Sequence, residues 1–410
     1  MKVQGGPARL AIFFLDAIRF RDIGDETTPF LARLCEEGMG GPLDTLLAYE
    51  GLAATIFTGT YPSRHGIWTR YFANPTRSPF KWVGPLAPLS EMMNRLGFRA
   101  PDKLLRYGIM RLSNAFAGIS YFPGIDSVPL KQLSQMDVSL RHNLFEPGCF
   151  GDLPSLFDML RERNLAFRFF DHGLLDSDLS VIQKALAEDP SSIVTVVRLI
   201  DLDTISHRYG LESEERASCL KRTDRLVEKT ILEWRKKVPR LAVLCFADHG
   251  MIPVDRYVDF RRIFQEAGIV PFRDFGMFLD STMARFWGED EITRKIQDVL
   301  SRMDCGRVLS QTDIQRFHLP QSRSWGSLIF LLKPGWAIYP SFFDGEEHVK
   351  AMHGYDPTTP GLETFIAIDS SNGYSHRLSR ASMIDILPTA LDLLGLQSPR
   401  HCHGSSLLRA

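Results

Sequence analysis

LAIFFLDAIRF, Leu10–Phe20, is the stretch whose reading decides the fold. Six apolar residues in succession, Leu10–Leu15, run straight into Asp16. A run that short and that continuous reads as a strand buried on both faces, as in a parallel sheet. The same ending recurs twice. RLIDLDTISHRYG (Arg198–Gly210) carries Asp203 and His207 just past its apolar run, and LAVLCFADHGM (Leu241–Met251) ends in Asp248-His249. A fourth segment, AMHGYD (Ala351–Asp356), contributes His353. In open α/β sheets the rim where strands end is where ligands bind. Three Asp and three His supply enough nitrogen and oxygen donors for two divalent metal ions, with zinc the best match and manganese an alternative. The pattern reads as a two-metal hydrolase.

A chain of 410 residues with 44% hydrophobic content can bury a large core, as one big domain plus an insertion or as two domains. Its formal net charge is −1 with both signs mixed along its length, which argues against a nucleic acid polymer as an obligatory partner. The six cysteines are scattered without a CxxC pair, so a disulfide framework or zinc knuckle is not expected, and Cys245 reads as a buried free thiol. The opening MKVQGGPARLAIFFLD reads as a first strand rather than a signal peptide, and no stretch approaches the roughly 20 apolar residues of a membrane span. A cytoplasmic location is the expectation.

Strand-like and helix-like segments alternate. Thr28 stands as the N-cap of TPFLARLCEEGM, with Pro29 at the first helical position and Gly38 beyond the end. SLFDMLRERN (155–164) reads as a helix leading into the AFRFF strand, and residues 212–237 as a long amphipathic helix leading into RLAVLCFAD. ETFIAID (363–369) reads as a late strand, and SMIDILPTALDLLG as a closing helix that stops at Gly395. This order predicts an α/β fold, a mostly parallel sheet sandwiched by helices, with an inserted cap subdomain. The expected core is 1–254 with 346–410, and the cap 255–345. Residues about 68–150 are rich in Pro, Phe, Trp and Tyr, as in SPFKWVGPLAPL and NAFAGISYFPG. They read either as a lid whose aromatics meet an apolar substrate moiety or as a loop-rich layer on the sheet.

Each candidate ligand has an ordinary alternative: an Asp after a strand often caps a helix, and a lone His is often a surface or satisfied core residue. The joint pattern is what favours metal. Asp203 and His207, four residues apart, can reach one ion; Asp248-His249 can serve one ion or two, with Gly250 allowing a sharp turn.

Taken in order, these motifs resemble the alkaline phosphatase superfamily, closest to its nucleotide pyrophosphatase/phosphodiesterase branch. LDAIRF resembles the first metal-binding strand, and TIFTGTYPSRHGIW the TG-x-YP-x-x-HGI signature. DLDTISHRYG resembles the D-x-x-x-H-x-x-G pair, FADHGMI the SDHGM motif, and AMHGYD the HGYDN motif. The resemblance implies an alkaline-phosphatase-like core, a small-molecule phosphoester substrate and two zinc ions. One ion would take Asp203, His207 and His353, the other Asp16, Asp248 and His249.

The resemblance also implies a metallated Ser or Thr nucleophile at the start of the helix running into TG-x-YP. Here that position falls on Tyr49, or on Glu50 with one residue of slip, within LLAYEGLAATIFTG; the family's nearby Asn falls on Leu52. Three readings follow. Glu50 could ligate or bridge metal while a metal-activated water attacks, a carboxylate could itself attack phosphorus, or the site could bind metal without turnover as a pseudoenzyme. Tyr49 as a phenolic nucleophile stands beside packing at the rim. Phosphonate or sulfate ester hydrolysis, or phosphoryl transfer, are further chemistries for the same scaffold. Elsewhere, His65 reads as a turn residue, Arg285 as a structural ion pair more than a phosphate grip, and His401 and His403 as part of a disordered tail.

Overall fold

In the computed structural model the strand Arg9–Leu15 lies in the middle of the main sheet, paired in parallel with Val194–Leu199 on one side and Leu241–Ala247 on the other. The described residues are 9–121, 127–173, 176–188, 192–343, 347–369, 373 and 375–409. The opening MKVQGGPA and the Phe122-Pro123-Gly124 part of the aromatic segment lie outside them. Phe167–Phe170 extends the parallel set beyond Val194–Leu199. On the other edge Thr364–Ile368 runs antiparallel to Leu241–Ala247 and to Met39–Asp44. The sheet is therefore parallel at its centre and mixed at one edge.

The apolar run alternates between two cores, as a strand must. Leu10, Ile12 and Phe14 face the layer containing the helices Glu50–Thr58, Leu156–Glu162 and Ile386–Leu393. Ala11, Phe13 and Leu15 face the layer of Pro29–Glu37, Asp178–Ala187 and Glu214–Lys237. Leu15 stands opposite both Leu199 and Ala247. The three central strands thus end level, and the residues that follow each of them share one rim.

The helix expected from TPFLARLCEEGM spans Pro29–Glu37. Its cap differs from the expectation. The Thr28 hydroxyl donates to the Asp22 carbonyl instead, and the Asp224 carboxylate, from the long helix Glu214–Lys237, accepts from the N–H groups of Phe30 and Leu31 at 3.1 and 2.9 Å. A carboxylate suits a helix N-terminus whatever part of the chain supplies it.

A second sheet, antiparallel throughout, orders Gly276–Leu279, Met283–Trp287, Leu328–Leu332 and Gly306–Val308. Its core is shared with the aromatic-rich segment: Tyr71, Phe80, Val83, Ile109 and Met110 pack with Phe260, Phe278 and Phe330. The segment therefore packs on both sheets, since its Trp68 and Phe150 lie in the core that Leu10, Ile12 and Phe14 face. Within this core Arg285 is fully buried, its Nε donating to Asp280 at 2.8 Å and its Nη1 to the Tyr71 carbonyl at 2.7 Å. It is a structural ion pair, far from a phosphate grip. Removing one member of a buried pair strands the other's charge, so Arg285→Ala is expected to cost about 3 kcal/mol or more. Urea midpoints of the two proteins check this.

Candidate metal centre on the sheet rim

Asp203 lies on the first turn and His207 on the last turn of the helix Asp201–Tyr209, which begins as the strand Val194–Leu199 ends. Four residues apart, they share one helix face, and His207 Nε2 is 3.2 Å from Asp203 Oδ1. The His207 Nδ1 is 2.8 Å from the Ala351 carbonyl, and the His249 Nδ1 3.1 Å from that of Gly250. A carbonyl only accepts, so both Nδ1 atoms carry a proton, which turns both Nε2 atoms toward the carboxylates, the orientation a metal-binding imidazole needs. His249 Nε2 sits 3.0 Å from Asp16 Oδ1, 3.8 Å from Asp248 Oδ1 and 4.0 Å from Asp203 Oδ1. The His353 ring stacks on that of His249 at 3.7 Å and stands 5.5 Å from that of His207.

Backbone contacts fix this arrangement. The short antiparallel bridge of Ala351–Met352 with Ile252–Pro253 brings His353 to the rim. Gly250 is needed for close approach rather than for a left-handed turn: a Cβ there would meet the Gly361 carbonyl at 2.5 Å. Gly354 has φ +81, and a Cβ would sit 2.5 Å from the Tyr49 hydroxyl.

Five of the six predicted residues form two groups whose ligand atoms lie within 4.8 Å, Asp16–Asp248–His249 and Asp203–His249–His353, and His207 stands beside Asp203 outside both groups. Asp203 Oδ1, Asp248 Oδ1 and His353 Nδ1 are buried there without hydrogen-bond partners. Orphaned buried polar atoms each cost on the order of 1–3 kcal/mol, and here they converge. Burial and the neighbouring Asp16 charge push the Asp248 carboxyl well above the usual carboxylate range. Burial would raise Asp16 too, but its hydrogen bond and charge pairing with His249 outweigh that and hold it low. Three carboxylates gathered round the imidazoles, with buried ligand atoms left unpaired, fit divalent cations.

The helix Glu50–Thr58 opens beside this centre. Glu50 Oε1 accepts from Arg70 Nε at 2.8 Å, and Oε2 accepts from the Tyr121 hydroxyl at 2.9 Å. Its oxygens are thus given to Arg70 and Tyr121, and it is absent from the two carboxylate–imidazole groups. The Tyr49 hydroxyl lies 2.6 Å from Thr282 Oγ1, which in turn donates to the Gly354 carbonyl at 2.7 Å. Leu52 is buried in the core. Thr45 donates to the Asp248 carbonyl, and Thr55 bonds His65. Tyr49, Glu50, Tyr121, Arg198 and Asp248 line a solvent-open cleft of about 510 Å³ whose other walls include Leu140, Leu144, Phe145 and Phe169.

Arg198 escaped the sequence reading because it lies inside an apolar strand. Its Nη2 is 3.2 Å from Asp16 Oδ2, while its buried Nε makes no hydrogen bond. A third group, His172, Asp178 and Asp201, was likewise unforeseen. Asp178 Oδ1 lies 2.9 Å from His172 Nε2 and accepts from the Ile200 and Asp201 N–H groups, anchoring the start of the helix that carries Asp203. His401 and His403 are not in a loose tail: the His403 N–H bonds the Gly59 carbonyl, and Arg409 pairs with Asp392.

His65 is a turn residue. Its Nδ1 accepts from the Ile67 N–H and its Nε2 faces Thr55 Oγ1, each at 3.1 Å. Burial pushes its pKa down to about 3, so the folded ring stays neutral while the unfolded ring titrates near 6.5. Between those values the unfolded chain binds a proton that the folded chain refuses. Stability should therefore fall as pH drops through this window, by up to about 1.4 kcal/mol per unit from this group. Denaturation midpoints across the range, flatter for His65→Gln than for the unmodified chain, check it.

Residues 10–356 match the family model for type I phosphodiesterase / nucleotide pyrophosphatase. Ectonucleotide pyrophosphatase/phosphodiesterase family member 7 of Rattus norvegicus is 23% identical over 96% of this chain and 86% of its own length. Among solved structures, human ectonucleotide pyrophosphatase/phosphodiesterase 5 matches with a TM-score of 0.70 at 12% identity, covering 98% of each chain. The murine counterpart, in an inactive threonine-to-alanine form bound to AMP, matches with a TM-score of 0.67 at 11% identity over 98% of each chain. The chain belongs to the type I phosphodiesterase / nucleotide pyrophosphatase family, enzymes that act on phosphoester bonds.

Proposed function

We propose that this chain hydrolyses small-molecule phosphodiesters with two divalent metal ions, zinc foremost, and that water rather than a side-chain hydroxyl attacks phosphorus. The observation that carries this reading is the convergence of orphaned ligand atoms of Asp203, Asp248 and His353 beside a cleft lined by both Tyr49 and Glu50. Asp203, His207 and His353 would hold one ion and Asp16, Asp248 and His249 the other. Bound there, the ions supply Lewis acidity toward the phosphoryl oxygens and a more acidic water.

The remaining work falls to the chain. Each carboxylate oxygen of Glu50 keeps a spare lone pair after its bond to Arg70 or Tyr121. Burial would raise its pKa, but the Arg70 charge and the two hydrogen bonds outweigh that and keep it ionised. Glu50 therefore orients the attacking water and takes its proton. With both oxygens already tied, it is poorly placed to attack phosphorus itself. Arg198, which lines the cleft, offers its guanidinium charge to a phosphoryl oxygen. Leu140, Leu144, Phe145 and Phe169 would receive an apolar or aromatic part of the substrate. The AMP bound by the murine relative supports a nucleotide-like ester. Six free cysteines support a cytoplasmic, reducing setting.

Turnover of bis-p-nitrophenyl phosphate compared with p-nitrophenyl phosphate and p-nitrophenyl sulfate tests the bond cleaved. Preference for the diester is expected; cleavage of the sulfate or the monoester alone would overturn the assignment.

A further inference from the structure

The helix Arg99–Ala117 buries polar side chains and exposes apolar ones. Its inward face holds Asp102, Arg106, Ser113 and Asn114 beside Ile109 and Met110, all buried. Arg106 Nε donates to Asp102 at 2.6 Å, Ser90 donates to the same carboxylate at 2.6 Å, and Ser113 accepts from Trp82 Nε1 at 3.1 Å. Its outward face carries Leu104 at 73%, Leu112 at 49% and Phe116 at 83% exposure. The preceding helix, Ala87–Arg95, and its connection add exposed Met92, Leu96 and Phe98. Of the twelve large hydrophobic residues exposed among the described residues, nine lie between Trp82 and Phe116. Scattered exposed apolar residues need no explanation, but a concentration on one pair of helices marks an interaction surface.

Charge selects the occupant. Residues 81–117 hold six Lys or Arg and two Asp or Glu, in a chain whose formal net charge is −1. Asp102 and Arg106 neutralise each other inside. The exposed remainder includes Lys81, Arg95, Lys103 and Arg111 among the apolar side chains, and Glu91 is the one exposed acidic residue of this segment. Large apolar side chains ringed by Lys and Arg on a helix lying flat are the composition of an interfacial membrane helix. A second copy of the chain would set the same cationic side chains against each other across a two-fold axis.

We propose that this helix pair docks the protein on the surface of an anionic lipid bilayer. Chain connectivity places the docked surface near the cleft, because the helix ends at Ala117 and Tyr121, four residues on, bonds Glu50.

Cosedimentation of the whole chain with phosphatidylcholine vesicles, with and without phosphatidylglycerol, tests this. Binding to the anionic vesicles, weakened by salt, is expected. Leu104→Glu with Phe116→Glu should weaken it by about tenfold or more, and Lys103→Glu with Arg111→Glu should remove the preference for phosphatidylglycerol. All four side chains are exposed, so turnover of a small soluble diester should be unchanged and reports that the variants are folded. Three results would overturn the proposal: no binding to anionic vesicles, equal binding by the Leu104/Phe116 variant, or lipid-free dimerisation abolished by that variant.

Discussion

Asp248→Asn should lower kcat/KM on a diester by about a thousandfold or more while leaving the metal-free protein at least as stable as before. The two effects have one cause. Asp248 is buried beside Asp16, and its Oδ1 has no hydrogen-bond partner. Without a cation, ionising it costs free energy, so an isosteric amide relieves repulsion. With cations bound, the same charge is what holds them, and its loss should show as reduced metal per chain. Function kept at the expense of stability is expected of a pre-organised site. Thermal melts of both proteins with and without chelator, alongside their kinetics, check this. A variant that keeps full activity, or that melts much lower in the metal-free state, would contradict it.

Glu50→Gln should cost about a hundredfold to ten-thousandfold in kcat, the range for removing a proton acceptor, with bound metal unchanged. The geometry separates the three roles open to Glu50. If it ligated metal, the variant would lose metal. If it attacked phosphorus, an acyl phosphate would form on it and react with hydroxylamine. Held by Arg70 and Tyr121 as it is, it should do neither. One displacement by water also inverts configuration at phosphorus, whereas a covalent intermediate would retain it. Chiral phosphorothioate diesters therefore report on the same question. Tyr49 offers a contrast: with its hydroxyl committed to Thr282, Tyr49→Phe should change kcat far less than Glu50→Gln does.

The centre of the fold was legible because strands end where their residues say they end. Leu10–Leu15 and Leu241–Ala247 are apolar runs closed by Asp, and parallel register then sets Asp16 beside Asp248 without further information. His353 was legible as a motif, though its approach depends on a two-residue bridge to Ile252–Pro253 that no periodicity announces. What stayed hidden depended on distant partners. Thr28 is a good cap by local rules, yet Asp224 supplies the bonds from another helix. Arg198 sits in a strand pattern that hides a side chain bound for the site, and Glu50 reads as a broken motif until Arg70 and Tyr121 are placed around it.

Hydrolysis on this rim requires a pair of metal ions held by the six residues Asp16, Asp203, His207, Asp248, His249 and His353. Metal content and diester turnover measured on one chelator-free preparation test it most directly. The prediction is about two divalent ions per chain, with turnover lost on chelation and restored by zinc or manganese. A chain that binds no metal, or one that turns over equally well once stripped of it, would contradict the account.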